Sequence, residues 1–169
     1  RRLGDLGPQL AQRAVSPVPF VNLTKTNQPS TVHRNLRMDY VGVKDVDLDG
    51  RVIGERRFLG LWTASAYTRS ALDIPVLRSK VAEVLARSGA VPLSHQANQL
   101  INILERYPRD ELFQIRVDDL YEHARGILAV NERRIVRLFV RPDDYGRFWS
   151  ALVFVPRDRF DTATRLRIQ

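Results

Sequence analysis

The stretch Lys44 to Glu55, KDVDLDGRVIGE, combines residue types and spacing that invite chemistry. Asp45, Asp47, Asp49 and Gly50 reproduce the first half of an EF-hand calcium loop, where alternate carboxylates ligate the ion and a glycine makes the sharp bend. Such a loop needs a bidentate glutamate at its twelfth position, and counting from Asp45 that position is Arg56, a cation. Glu55 stands one position early. The flanks RMDYVGVKDV and RVIGERRFLGLW are β-branched, aromatic and nearly alternating, whereas a calcium loop joins two amphipathic helices. The stretch is therefore read as a β-hairpin turning at Asp49-Gly50 through a two-residue type I′ loop. The register then sets Val46 opposite Ile53, Lys44 opposite Glu55, Tyr40 opposite Leu59 and Met38 opposite Leu61.

A second polar constellation, TKTNQPSTVHR, is not explained by capping or by a plain turn. It gathers Lys25, Asn27, Ser30, His33 and Arg34 beside a strand end, a composition suited to an anion or a neighbouring domain. With Arg109, Asp110 and Glu111 of YPRDELFQ it makes up the candidate effector or interdomain surface. No catalytic, cofactor-binding or metal-ligating set stands out. Gly4 and Gly7, and Gly54 and Gly60, lack the spacing and strand-to-helix setting of a phosphate-binding loop. His33, His95 and His123 have no metal-ligand spacing. Asp118-Asp119 and Asp143-Asp144 fall where a helix start and a turn already call for acids. With no cysteine, disulfides and thiolate metal sites are excluded.

The elements that would position these groups follow from composition and period. A chain of 169 residues, 44% hydrophobic and 27% charged, is suited to one good core or two small ones. No apolar run reaches eighteen residues and no charged leader precedes an apolar core, so neither a membrane span nor a signal peptide is expected. The net charge of +8 raises nucleic-acid binding, but the arginines lie close to acids, as in ERRFLG, YPRDEL and RPDDYGR, which describes a solvated surface. Residues 1–18, with a short helical stretch at Gln9 to Ala14 among glycines and prolines, read as a linker. PFVNLTKTN reads as a first strand. After the hairpin the period becomes helical. Pro75 starts a stripe of Val76, Leu77, Val81, Val84 and Leu85 that ends near Gly89. Ser94 caps a helix with Ala97, Leu100, Ile101 and Leu104 on one face, stopped by Pro108. RDELFQI follows briefly, and Asp118 or Asp119 opens a helix carrying Leu120, Tyr121, Ala124, Ile127 and Leu128. RIVRLFVR and RFWSALVFVP are apolar on both faces and are expected in the middle of the sheet, covered on both sides, with PDDYG as their turn.

The predicted architecture is α+β: one mainly antiparallel sheet of about five strands, with three to four helices inserted between two hairpins. That order is PAS-like; an ACT-like arrangement fits it less well. The domain spans 19–156, and 157–169, ending DTATRLRIQ, reads as the start of a helix leading onward. Arg1 at the first position and this unfinished helix lead to the expectation of a piece of a larger protein.

TKTNQPSTVHR, DYVGVK, GERRFLGLWTASAY, IPVLRSKV, NILERYPRDELFQI and VRLFVRPDDYGRFWSALVFVPRDRFDTATRLRIQ together resemble the N-terminal, non-catalytic half of the large bacterial NAD-specific glutamate dehydrogenases. The resemblance runs from about Pro19 to Gln169. It implies a cytoplasmic homo-oligomeric parent enzyme that converts L-glutamate, NAD and water to 2-oxoglutarate, ammonium and NADH. It implies NAD in the parent and no cofactor in this stretch, because no position here matches the family's catalytic or dinucleotide-binding segments. The chain is then a regulatory and assembly module of ACT-like or PAS-like type. Its expected partners are other domains and subunits of the parent and a small-molecule effector, with no nucleic acid and no membrane. The alternative readings are a free-standing basic nucleic-acid-binding domain, or a small-molecule sensor with a pocket between the sheet and the helices Pro75 to Arg87 and Asp119 to Glu132.

Overall fold

A computed structural model describes residues 7–32, 34–132, 135–156 and 160–168. Contacts divide the chain into two compact units, one up to Thr68 and one from Arg69 onward.

The first unit contains helix α1, Pro8–Val15, strands β1, Val21–Pro29, β2, Arg37–Val46, and β3, Val52–Gly60, and the short helix α2, Ala64–Thr68. Helix α1 lies within the segment expected to be a linker, with proline in its first turn, where the missing N–H costs nothing. The strands form an antiparallel sheet in the order β1-β2-β3. Lys44 faces Glu55 and Tyr40 faces Leu59, as the sequence register has them. Val46, however, faces Val52 rather than Ile53, with a register shift between Asp45 and Val46.

The turn accounts for the difference. The Gly50 N–H donates to the Asp47 carbonyl at 3.0 Å, the Asp47 N–H to the Arg51 carbonyl at 2.9 Å, and the loop's only positive φ is that of Gly50, +78°. This is a three-residue loop with a left-handed glycine, not a two-residue type I′ loop. Asp47 selects it: its Oδ1 accepts the N–H groups of Asp49 at 3.0 Å and Arg51 at 2.8 Å, satisfying donors the tighter loop would arrange differently.

The second unit carries a 3₁₀ turn, Ala71–Asp73, and helices α3, Pro75–Ser88, α4, His95–Glu105, α5, Arg109–Gln114, and α6, Val117–Glu132. Strands β4, Arg137–Pro142, and β5, Trp149–Phe154, and helix α7, Thr162–Ile168, follow. The caps are those the sequence specifies. Gly89 ends α3 with φ +65°, and the Ser94 hydroxyl accepts the Ala97 N–H at 3.2 Å at the head of α4. Leu77, Val81 and Val84 of α3 meet Ala97, Leu100, Ile103 and Leu104 of α4, Leu112 and Phe113 of α5, and Leu120, Ala124 and Ile127 of α6 in one buried core. Ile103, not Ile101, completes the α4 face. Gly126 lets β4 onto α6, since a Cβ there would lie 2.5 Å from the Phe139 ring.

The five strands do not share one sheet. β4 and β5 form an antiparallel pair of their own, with Phe139 opposite Leu152 and Arg141 opposite Ser150. They are not covered on both faces either, for Phe139 and Arg141 are buried while Leu138, Val140 and Trp149 are exposed. An uninterrupted apolar run marks strand propensity on both faces, but it does not say that both faces are covered within the same chain.

Candidate functional site

The second unit concentrates its charge chemistry around α5. Helix α5 has only six residues and no side-chain cap, and its last carbonyls would be left without partners in a buried setting. Lys80, on the α3 face between Leu77 and Val84, supplies them. Its Nζ donates to the carbonyls of Leu112 at 2.9 Å, Phe113 at 2.8 Å and Ile115 at 2.7 Å. Burial, aided by the nearby Arg141 cation, pulls its pKa down to about 8. The amine is still protonated at neutral pH, as a donor to three carbonyls requires.

At the other end of α5, Glu111 accepts from Arg141 Nε at 2.8 Å, with both side chains almost fully buried. Arg141 also donates to the Pro142 carbonyl at 3.0 Å, and its remaining Nη2 finds no partner among the described residues. Nearby, the Tyr107 hydroxyl meets His123 Nδ1 at 2.7 Å, and the His123 ring lies 4.8 Å from that of Phe139. Burial pushes the Tyr107 phenol above its ordinary range and the His123 imidazole below its own. The neutral imidazole can therefore accept the tyrosine proton in a hydrogen bond.

This arrangement binds elements together. Lys80 is tied to backbone, Glu111 to Arg141, and Tyr107 to His123, so these acid and base groups are spent on holding α3, α5, α6 and β4 in place.

Beside this cluster a pocket of about 330 Å³ opens against α4, α6 and the end of β5. Ile103, Tyr107, Ile127 and Phe154 provide an apolar wall, and Gln99, Asn102 and Arg106 supply amides and a cation. Its chemistry suits a small molecule with an apolar body and an anionic or carbonyl group. It abuts α6, as the sensor reading expects, but α3 contributes no lining residue; α4 takes that place.

The candidate surface residues are dispersed. Lys25, on β1, pairs with Asp39 at 2.6 Å. Ser30 closes its own turn, its hydroxyl donating to the Val32 carbonyl at 2.8 Å. Asn27 and Arg34 are exposed, and His33 lies outside the described residues. Arg109, Asp110 and Glu111 belong to the other unit. There Arg109 is 7% exposed along its side chain and donates to the Arg69 carbonyl at 3.1 Å, while Glu111 is committed to Arg141. Lys80, Arg141 and Tyr107 were not singled out from the sequence, and His123 was weighed there only as a metal ligand; Lys80 and Arg141 nevertheless carried a signal. Lys80 falls on an apolar helical face, and Arg141 lies two residues from Phe139 and so on the same strand face.

Among the described residues no group of three histidines, cysteines or carboxylates could hold a metal ion, and no helix is long and apolar enough to cross a membrane.

A family model described as "Glutamate dehydrogenase, helical motif 1" matches residues 74–133, which run from α3 through α6. A second, "Glutamate dehydrogenase, ACT2 domain", matches residues 137–169, which hold β4, β5 and α7. The chain is 47% identical to the NAD-specific glutamate dehydrogenase of Halomonas elongata over 90% of its own length and 10% of that protein's. It is 48% identical to the protein of the same name from Pseudomonas aeruginosa over 89% of its length and 9% of the relative's. The Mycobacterium tuberculosis NAD-specific glutamate dehydrogenase is 36% identical over 72% of this chain and 7% of its own. The chain thus spans about a tenth of the length of the curated relatives it matches. Its helical unit and its terminal strand pair each match a named part of one enzyme, and near-half identity extends that likeness over nine-tenths of the residues, so the chain belongs to the NAD-specific glutamate dehydrogenase family.

Proposed function

We propose that this chain is a non-catalytic regulatory and assembly segment of an NAD-dependent glutamate dehydrogenase. The whole protein would convert L-glutamate, NAD and water to 2-oxoglutarate, ammonium and NADH, in the cytoplasm and as a homo-oligomer, with NAD bound outside this segment. The observation that carries the reading is that the two matched family parts are a helical motif and an ACT domain, while the buried titratable groups of the second unit are consumed in structural contacts. The ACT description supports an ACT-type module for β4, β5 and α7. The PAS-like likeness extends only to the order of hairpins and helices. The division into a linker before residue 19, a domain to 156 and a helix leading onward belongs to the same proposal, with α1 added as ordered structure ahead of the sheet. The pocket over Tyr107 and Phe154 supports a small-molecule effector as partner, alongside the other domains and subunits of the enzyme.

A replacement experiment tests this. In the Pseudomonas aeruginosa relative, the stretch aligned with this chain is exchanged for a flexible linker, and NADH formation and subunit assembly are followed. We expect turnover to persist with an altered dependence on glutamate or an altered oligomer. Glutamate-dependent NADH formation by the 169-residue chain alone would refute the non-catalytic reading. Unchanged kinetics and assembly in the replaced enzyme would refute the regulatory one.

A further inference from the structure

The pocket against α4 and α6 lies on the seam between the two matched parts of the family. Its α4 and α6 residues fall within the helical motif, 74–133, and Phe154 of β5 falls within the ACT2 part, 137–169. Ile103, Tyr107 and Ile127 are buried, and Phe154 is half-buried. The Phe154 ring meets that of Phe139 edge-on at 5.7 Å, and Phe139 in turn lies 4.8 Å from His123 of α6. A molecule seated on Phe154 therefore bears on the aromatic contact by which β4 and β5 rest on the helices. The polar side of the pocket comes from one face of α4, where Gln99, Asn102 and Arg106 stand at i, i+3 and i+7. Among the described residues, none of these three side chains has a hydrogen-bond or ion-pair partner. Arg87, Arg125, Arg141 and Arg147 of the same unit, by contrast, each lie on a carboxylate.

We infer that this pocket binds a small monocarboxylate with a compact apolar body, and that the bound acid clamps the β4-β5 pair onto the helical motif. Arg106 is the only charged residue among those lining the pocket, so a ligand cation is repelled and an anion is held. The end of α4 that opens on the pocket is its C-terminus, whose carbonyls carry partial negative charge and disfavour a multiply charged phosphate. One guanidinium beside two amides matches a single carboxylate instead, which accepts two parallel N–H groups from an arginine and has lone pairs left for the amides. A volume of about 330 Å³ is at the small end for ligand pockets and limits the body to a compact group, lying between Tyr107, Ile127 and Phe154. This inference rests on the reading of the pocket as an effector site and deepens it by naming the ligand class and the contact that the ligand controls.

Three probes that share one body test it by calorimetry: 3-phenylpropanoate, its amide and 3-phenylpropylamine. The acid should bind the chain about tenfold more tightly than the amide, and the amine should not bind measurably. Asn102→Asp, four residues before Arg106, gives the guanidinium a counterion on its own helix and leaves the apolar wall intact. It should abolish the preference for the acid, as should Arg106→Gln; both residues are exposed, so the circular dichroism of either variant should match that of the native chain. With the acid at saturation, the amides of β4 and β5 should exchange hydrogen about fivefold more slowly, and those of β2 at an unchanged rate. Equal affinity for acid and amide, a preference that survives both substitutions, no binding of any probe, or binding that leaves β4 and β5 exchange unaltered would each overturn the inference. These outcomes are read on the chain alone, and the regulatory reading is read on the replaced enzyme. An acid that binds as described while replacement leaves kinetics and assembly unchanged refutes regulation and leaves the site standing, whereas a chain indifferent to the ligand's charge refutes the site alone.

Discussion

Replacing Lys80 by methionine tests the account of the α5 cluster, because it removes the ammonium while nearly keeping the side chain's length and volume. In the native chain Nζ holds three carbonyls at 2.7–2.9 Å, each a bond to a charged donor. Such bonds contribute roughly 1.5 to 3 kcal/mol apiece, and methionine leaves all three acceptors unpaired. Against this stands the cost of burying the cation. A pKa of about 8 in place of 10.5 corresponds to about 3 kcal/mol at neutral pH, which the substitution recovers. The carbonyls outweigh the amine, so Lys80→Met should lose about 2 to 6 kcal/mol in urea unfolding at pH 7. The pH dependence supplies a second readout with a definite sign. Between the folded pKa near 8 and the unfolded value of 10.5 the unfolded chain holds the proton that the folded chain has released, so native stability rises with pH in that window. From pH 8 to pH 10 the gap between the native chain and Lys80→Met should widen by roughly 2 to 3 kcal/mol. A variant as stable as the native chain at pH 7 would show that water can satisfy the carbonyls. A gap constant from pH 8 to pH 10 would show that the buried amine titrates normally. Either result refutes the reasoning.

Three further substitutions probe separate parts of the structure. Glu111→Ala should cost about 3 to 5 kcal/mol in urea unfolding by leaving the buried Arg141 cation without its partner, and Glu111→Leu combined with Arg141→Met should recover most of the loss. Gly126→Ala should lower the thermal midpoint, because a Cβ 2.5 Å from the Phe139 ring forces repacking worth about 1 to 3 kcal/mol, more than the roughly 1 kcal/mol of helix propensity that alanine adds. Gly50→Ala should cost about 1 to 2 kcal/mol at its φ of +78°, whereas Asp49→Gly should gain nothing, since Asp49 has no positive φ for glycine to relieve; a clear rise in stability on Asp49→Gly would restore the type I′ turn.

The helical unit was legible because its signals are local and agree with one another. Pro75 at a first turn, Ser94 as a cap, Gly89 in a left-handed stop and the stripe of Leu77, Val81 and Val84 each act within a few residues, and the helices obey them. The hairpin was legible in its strands and less so in its loop. Asp49-Gly50 is a strong dipeptide signal, but the loop is chosen by the Asp47 carboxylate reaching two backbone N–H groups, which a rule about the two central residues does not weigh. The division of the strands into two sheets was not legible, because strand pairing is a long-range choice and β3 and β4 are separated by the whole helical run. The buried charges failed for another reason. A lysine on a helical face and an arginine in an alternating strand are ordinarily assigned to solvent, and only the positions of the carbonyls of Leu112, Phe113 and Ile115 and of the Glu111 carboxylate make burial of Lys80 and Arg141 favourable. Arg109 and Glu111 illustrate the same limit from the other side. Their charge suggested a surface for an effector, yet in the folded chain one braces the backbone at Arg69 and the other neutralises Arg141, whereas Gln99, Asn102 and Arg106 line the neighbouring pocket. In this unit, charge in the sequence marks where short elements need bracing, and a binding site has to be sought where an apolar wall meets polar groups that the bracing has not used.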